Sequence, residues 1–287
     1  MLSVIPYPNR FTPLLRLGQM LRPFMPGAIK QRIPAWQKTG ALPDNTHSRT
    51  MLVLAGCAQS GIAPNINAAA VRVLDRLGVR LLSAPEAGCC GAMHHHMNEA
   101  AIGLDMARRN IDAWWPLIEA GAEAIVMTAS GCGTQVKEYG ELLADDPDYG
   151  DKAKRVSAMT RDLAEILANE DLSTLGRIGD GQASVAFHTP CSLQHGQQLN
   201  GVVEAILTDL GFDLRAVADG HLCCGSAGAY SMLQPAIAGQ LRERKLDALT
   251  VNAPARIATA NIGCLTHLAG GDTEVHHWIE LLDPDSP

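Results

Sequence analysis

Eight cysteines fall into two sets of one design: Cys57, Cys89-Cys90 and Cys132, then Cys191, Cys223-Cys224 and Cys264. In both sets 31 residues separate the first cysteine from the pair; 41 then precede Cys132 and 39 precede Cys264. The copies are offset by 134, 134 and 132 residues, and the surrounding words repeat: GCCGA (88–92) with LCCGS (222–226), SGCGT (130–134) with IGCLT (262–266). Four thiolates suit an iron-sulfur cluster. They suit tetrahedral zinc equally well, and buried cysteines also fill small apolar spaces. Adjacent cysteines repeated with no stray cysteine elsewhere serve packing poorly, so metal is the favoured reading, and spacing leaves iron and zinc open.

Three residues beyond the last cysteine of each set stand Gln135 and His267. A Cys-x-x-His spacing can return an imidazole to the same ion across one tight turn, whereas Gln135 offers only a neutral amide. The second site is therefore expected to hold metal more tightly, with His267 as an added ligand. His94, His95 and His96 follow the first pair at a helix start. His188 and His195 bracket Cys191, where a hydrogen bond to sulfur would tune a potential, and both are left unassigned. Trp115 of the Trp114-Trp115 pair is assigned to core packing. No G-x-G-x-x-G run, P-loop or Ser-His-Asp signature is evident.

Positioning these residues falls to alternating strands and helices. MLVLA (51–55) reads as a strand, Ile62, Ile66, Ala70, Val73, Leu74 and Leu77 as one helix face, and VRLLS (79–83) as a strand leading to the Cys pair. Met97, Ala101, Leu104, Ile111, Trp115 and Ile118 mark a longer helix, followed by the strand AIVMT (124–128). The second copy repeats this order with SVAFH (184–188), a helix carrying Leu199, Val203, Ile206 and Leu210, DLRAV (213–217), a helix over 231–249, and RIATA (256–260). The fold class is α/β: two pseudo-repeated domains, each a parallel sheet with helical crossovers. Each cysteine follows a strand, where ligands of open α/β sheets gather. The divisions expected are a basic arm (1–49), a first domain (50–150), a connector around one helix (151–182) and a second domain (183–287).

Composition is that of a soluble enzyme, with 47% hydrophobic and 18% charged residues. No secretory signal or membrane span is evident, so the cytoplasm is expected, where cysteines are seldom structural disulfides. Residues 1–49 hold seven Lys or Arg against Asp44 alone, a charge of about +6, leaving the remainder at about −13. An acidic body argues against nucleic-acid binding. Phe11, Leu14, Leu15, Leu17, Met20, Leu21 and Phe24, mixed with Arg10, Arg16 and Arg22, read as an amphipathic helix kept short by Pro13 and Pro23; it either docks on a membrane surface or partner, or folds on the body.

The runs EAGCCGA (86–92), NIDAWWPLIEAGAEAI (110–125), TASGCG (128–133), KEYG (137–140), HLCCGSAG (221–228) and ANIGCLTHLA (260–269) resemble the Cys-Cys-Gly domain family over nearly the whole chain. That family includes the heterodisulfide reductase B subunit, lactate-utilisation proteins and the C-terminal part of glycolate oxidase iron-sulfur subunits, the last being the nearest match. The resemblance implies [4Fe-4S]-type clusters on the eight cysteines, favouring iron over zinc. It implies electrons received from an FAD-containing partner subunit that oxidises glycolate or a related 2-hydroxy acid, and passed to a quinone or a separate ferredoxin-like chain. It also prefers His96 among the three histidines, and allows a peripheral place on the inner face of the membrane. Two departures stand out: the N-terminal ferredoxin-like motifs of the glycolate oxidase type are missing, implying a fragment or a reduced form, and the final CxxC of the fullest pattern ends in Gln135 and His267. A zinc-binding or metal-free docking subunit, and a disulfide-reducing catalytic subunit, are the alternatives.

Overall fold

The computed structural model describes residues 1–30, 33–179 and 183–286. Arg32 of the basic arm and the last three residues assigned to the connector lie outside the described residues. Strands β1 (Arg49–Val53), β2 (Val79–Ser83), β3 (Ile125–Met127) and β4 (Thr160–Asp162) form one parallel sheet in the order β2-β1-β3-β4. Strands β5 (Val185–His188), β6 (Arg256–Thr259) and β7 (Val275–His277) form a second parallel sheet in the order β5-β6-β7. On the free side of β5 a parallel bridge joins Val185 to Leu214. The second sheet thus repeats the order of the first, with the bridge standing where β2 stands.

The differences from the expected elements have local causes. DLRAV makes a bridge and no full strand: the chain leaves β5 after two backbone hydrogen bonds, and the Ala216 carbonyl accepts from Asn252 Nδ2 (2.7 Å). The connector holds two helices, Gly150–Met159 and Leu163–Ala168, with β4 between them, so it supplies the fourth strand of the first sheet. Strands of three residues such as β4 and β7 are too short to show a period of two. Pro64 divides the first expected helix into Gln59–Ile62 and Asn65–Arg76. In the helix Ala100–Glu119 the buried face carries Met106, Ala107, Asn110, Ile111, Trp114 and Ile118, while Ala101 is exposed. Trp114 is therefore the core residue; Trp115 is half-buried beneath the cations of Lys152 and Arg155. Pro13 lies within the helix Pro8–Leu21 without ending it. Phe11 and Leu15 of that helix pack at Gly61, and Leu14, Leu17, Met20, Leu21 and Phe24 point to solvent. Among the described residues no helix is long and apolar enough to cross a membrane.

The two repeats share one core by reciprocal exchange. Helix Leu163–Ala168, which follows β4, packs on helix Val202–Asp209, which follows β5; the turn Trp278–Leu282, which follows β7, packs on helix Asn65–Arg76, which follows β1. Leu163, Leu167, Val203, Ile206, Ile66, Val73, Leu74, Trp278, Ile279 and Leu282 belong to one buried apolar cluster. Complete burial of a Leu or Ile side chain contributes roughly 1.5–3 kcal/mol, so this shared cluster couples the stability of the two repeats. A buried ion pair adds direction: Arg72 donates to Asp283 from Nη2 (2.6 Å) and Nε (2.9 Å) and to Asn65 Oδ1 (2.9 Å).

Candidate metal centre

Every cysteine lies beyond the C-terminal end of a strand or of the Leu214 bridge, in a loop or on the first turn after it. Cys132 and Cys264 are each the third residue of a short helix, Ser130–Lys137 and Ile262–Leu268. After each pair, Gly91 (φ +90°) and Gly225 (φ +89°) occupy the left-handed region open to glycine. A Cβ there would stand 2.7 Å from the Gly103 carbonyl oxygen or 2.5 Å from that of Ala238, so both glycines also let the loop press on the following helix.

In the first repeat the thiol of Cys57 lies against Cys89, that of Cys89 against Cys90, and that of Cys90 against Cys132. In the second, Cys191 lies against Cys223 and Cys223 against Cys224, while Cys224 Sγ is 3.2 Å from Cys264 Sγ. All eight cysteines are free. Each repeat therefore converges four thiols from three separate loops. The pressure on protonation alternates over Cys57, Cys89 and Cys90 in the first row and over all four thiols in the second. The thiols of Cys57 and Cys89 adjoin, holding Cys57 above the ordinary thiol range and Cys89 down at about 3. Cys90 is pushed up by Cys132 and Cys89 and by burial. In the second repeat Cys191 and Cys224 are pushed up by their neighbour Cys223, which is itself drawn down to about 2. Cys264 falls well below the thiol range, first through Cys224, then through His188 and Asn261, against its own burial. Sulfurs pressed together are relieved by a shared cation, which is the electrostatic condition of a thiolate metal site.

The supports of the two rows differ. Around the first pair, Asn110 Oδ1 accepts from Gly88 N (2.8 Å), Asn110 Nδ2 donates to the Cys89 carbonyl (2.9 Å), and Tyr139 Oη donates to the Cys90 carbonyl (2.7 Å). These hydrogen-bond partners are neutral, and the Arg109 guanidinium lies beside Gly88. Around the second, Gly225 N donates to Cys223 Sγ (3.3 Å) and Asn261 Nδ2 to Cys264 Sγ (3.7 Å). Wholly buried Lys245 donates from Nζ to the Gly220 carbonyl (3.0 Å), on the loop that leads to Cys223.

His188, left unassigned on sequence, ends β5 wholly buried, with neither ring nitrogen hydrogen-bonded; a ring nitrogen lies within 4.8 Å of both Cys224 Sγ and Cys264 Sγ. A histidine closing a strand three residues before a cysteine was the available signal. His267 instead turns Nε2 to the Ala238 carbonyl (3.2 Å), so the imidazole grouped with Cys224 and Cys264 is that of His188. Among the three consecutive histidines His94 is the buried one, facing Cys89, and His96 is exposed. The helical turn Ala92–His96 leaving Gly91 aims its third residue inward. Gln135 is buried on the helix that carries Cys132.

The two sites meet back to back. Ser130 N donates to the Ala260 carbonyl (3.1 Å), Ser130 Oγ meets Ser192 Oγ (2.8 Å), and Gly131 N donates to Asn261 Oδ1 (3.3 Å). Gln197 Nε2 donates to the Ser130 carbonyl (3.0 Å) and to Asp162 Oδ2 (3.1 Å). The loops that present Cys132, Cys191 and Cys264 are thus braced by one polar seam.

Comparison with known proteins gives this arrangement its relatives. The cysteine-rich domain (CCG) family matches twice, over residues 51–137 and 185–269. The glycolate oxidase iron-sulfur subunit of Escherichia coli (strain K12) is 53% identical over 283 residues, covering 98% of this chain and 69% of that protein. The probable glycolate oxidase iron-sulfur subunit of Bacillus subtilis (strain 168) is 27% identical, covering 75% of this chain and 48% of that protein. Among solved structures, a hypothetical protein from Helicobacter pylori superposes with a TM-score of 0.51 at 9% identity, over 94% of this chain and 56% of that one, a likeness of fold. The duplicated cysteine frame, the repeated parallel sheet and the double match together show that the chain belongs to the cysteine-rich domain family.

Proposed function

We propose that the chain is an iron-sulfur electron-transfer subunit of a complex that oxidises glycolate or a related 2-hydroxy acid. One [4Fe-4S]-type cluster would be held on Cys57, Cys89, Cys90 and Cys132 and a second on Cys191, Cys223, Cys224 and Cys264. The observation that carries this reading is the convergence of four thiols, from three loops, in each repeat. The donor set fits the group: thiolates are its ordinary ligands, and apolar side chains wall each row. Ile111, Trp114 and Val136 pack with Cys90, and Ala186, Ile257 and Leu268 with Cys224 and Cys264. Such a cluster, when bound, takes up and gives back one electron without making or breaking a bond.

The protein's own residues hold the thiols together, exclude water and donate N–H groups to sulfur. The C–H chemistry falls to a flavin-containing partner subunit, and the onward acceptor to a quinone or a ferredoxin-like chain, with the complex working in the cytoplasm or against the inner face of the membrane. His267 holds helix Pro235–Thr250 through the Ala238 carbonyl and stands next to the second ligand set.

The test is anaerobic co-purification with a flavin-containing glycolate dehydrogenase subunit, followed by addition of glycolate. Bleaching of the iron-sulfur absorption is expected. Bleaching by dithionite but not by glycolate would remove the 2-hydroxy acid reading and keep the clusters.

A further inference from the structure

In each repeat a short helix after the cysteine pair packs on the longer helix that follows, Ala92–His96 on Ala100–Glu119 and Tyr230–Leu233 on Pro235–Thr250. These elements match, since Gly91 presses on Gly103 and Gly225 on Ala238. Their outer faces differ. In the first repeat His96, Asn98 and Glu99 are exposed there. In the second the exposed side chains are large and apolar: Tyr230, with Met232, Leu233 and Ile237 at 51%, 53% and 50%. No charged residue and no histidine occurs from Leu222 to Leu241. A cluster of exposed apolar side chains of this kind marks an interaction surface.

The patch borders the second thiol row. Ser231 N donates to the Ser226 carbonyl (3.2 Å), which ties helix Tyr230–Leu233 to the loop of Cys223-Cys224, and Cys191 and Cys223 are half-buried. Cys57 and Cys132 are half-buried too, but the N-terminal arm lies over that side of the first repeat. Phe11 and Leu15 pack at Gly61, on the turn after Cys57, and Tyr7 meets His94 edge-on with ring centres 6.1 Å apart. The residues 134 positions beyond Gly61 and His94 are His195 and Gly228, and both are exposed. The chain thus covers this side of its first repeat with a helix of its own and leaves the matching side of the second bare.

Resting on the electron-transfer reading above, we infer that Tyr230, Met232, Leu233 and Ile237 form the docking surface for the flavin-containing partner subunit, which meets it with the apolar face of a helix, as Pro8–Leu21 meets the first repeat. The lack of charge selects this occupant over a diffusing electron carrier. Transient encounters are steered by complementary charge, whereas the core of a lasting subunit interface is apolar and depleted of charged residues. Each transfer across the surface oxidises the partner's reduced flavin by one electron and reduces the group on the second row by one, the flavin's protons being released on the partner's side.

Binding of the loaded wild-type chain to a flavin-containing glycolate dehydrogenase subunit, measured without oxygen over a salt series, tests this. Affinity should hold from about 0.1 M to about 1 M salt, because apolar contacts are not screened. Met232→Glu combined with Leu233→Glu should weaken binding at least about thirtyfold, the loss of one hot spot, with wild-type iron and sulfide retained. Ile237→Glu should act in the same direction with a smaller effect, and Phe24→Glu, on the exposed arm, should bind as the wild type does. Wild-type affinity in the loaded double variant overturns the inference and leaves the electron-transfer reading standing. A loss confined to Phe24→Glu overturns it in favour of the arm. Self-association of the wild-type chain that the double variant abolishes overturns it in favour of a second copy. Should the double variant fail to load, hydrogen exchange on the wild-type pair still decides: amides of 230–237 should slow on complex formation, and unchanged exchange there overturns the inference. A wild-type chain that holds no iron and sulfide, or holds them and does not bind the flavin subunit, overturns the reading itself, and this inference with it.

Discussion

The two repeats set the same four-cysteine frame on the same order of parallel strands, and then surround it with different chemistry. In the first, Asn110 and Tyr139 hold the Cys89-Cys90 backbone through neutral hydrogen bonds, and Ile111 closes the wall. In the second, the residues at the positions of Asn110 and Ile111 are Arg244, which is exposed, and Lys245, which is buried. The fourth strands differ in the same way. Asp162 ends β4 and His277 ends β7; each caps the helical turn that follows, in a capping box with Glu165 or Glu280. Burial pushes Asp162 up to about 6 and His277 down to about 3. Duplication thus preserved the geometry that gathers sulfur while the side chains around it diverged.

The largest test of this contrast removes one centre at a time. Cys90→Ser should leave only the second site loaded and Cys224→Ser only the first, each losing about half the bound iron. The second site, where buried His188 is grouped with Cys224 and Cys264, should release iron to a chelator at least tenfold more slowly, since supporting partners of metal ligands are commonly worth 10–100-fold. Equal release rates would break the contrast.

Acid stability comes next. His277 has its native pKa depressed from 6.5 to about 3, so its contribution is present above pH 6.5 and is lost as pH falls towards 3, on the order of 5 kcal/mol in all. Asp162 is raised from 3.8 to about 6, so its contribution is present below pH 3.8 and is lost as pH rises through 6, about 3 kcal/mol. Between pH 4 and 6 the two slopes oppose each other. His277→Asn should flatten the acid limb of a urea-unfolding series, whereas Asp162→Asn should gain on the wild type by about 2–3 kcal/mol between pH 4 and 7. Both variants retain a residue that can cap. Variants running parallel to the wild type across this range would mean that neither group titrates with folding.

A smaller effect distinguishes the two pairs. Asn110→Ala strips the partners of the Gly88 N–H, the Cys89 carbonyl and Tyr139 Oη, and should cost about 2–3 kcal/mol. Arg244→Ala, at the matching exposed position, should stay within about 0.5 kcal/mol. Similar losses in denaturant melts would show that the two pairs are held alike.

Much of this was legible before any coordinates. The repeat of Cys57, Cys89-Cys90 and Cys132 in Cys191, Cys223-Cys224 and Cys264 announced both the duplication and the convergence, because each cysteine follows a strand of a parallel sheet. What stayed hidden depended on packing. On a helix, whether Trp114 or Trp115 faces inward turns on 100° of rotation, and an apolar stripe carrying Leu104 and Ile118 fits either. β4 and β7 are too short for a pattern and are polar or charged in part. His188 lay in view beside Cys191, but only the fold brings it to Cys224 and Cys264 rather than to its sequence neighbour. Lys245 lies on the helix expected over 231–249, and its burial goes with the loop at Gly220, whose carbonyl accepts from Nζ.

The central claim, that both thiol rows hold iron-sulfur clusters, is tested most directly by iron, acid-labile sulfide and zinc analysis of the wild-type chain purified without oxygen. Iron and sulfide in equal amounts, about four of each per row, with zinc at trace level, is the predicted result. About one zinc per row with no sulfide would contradict it.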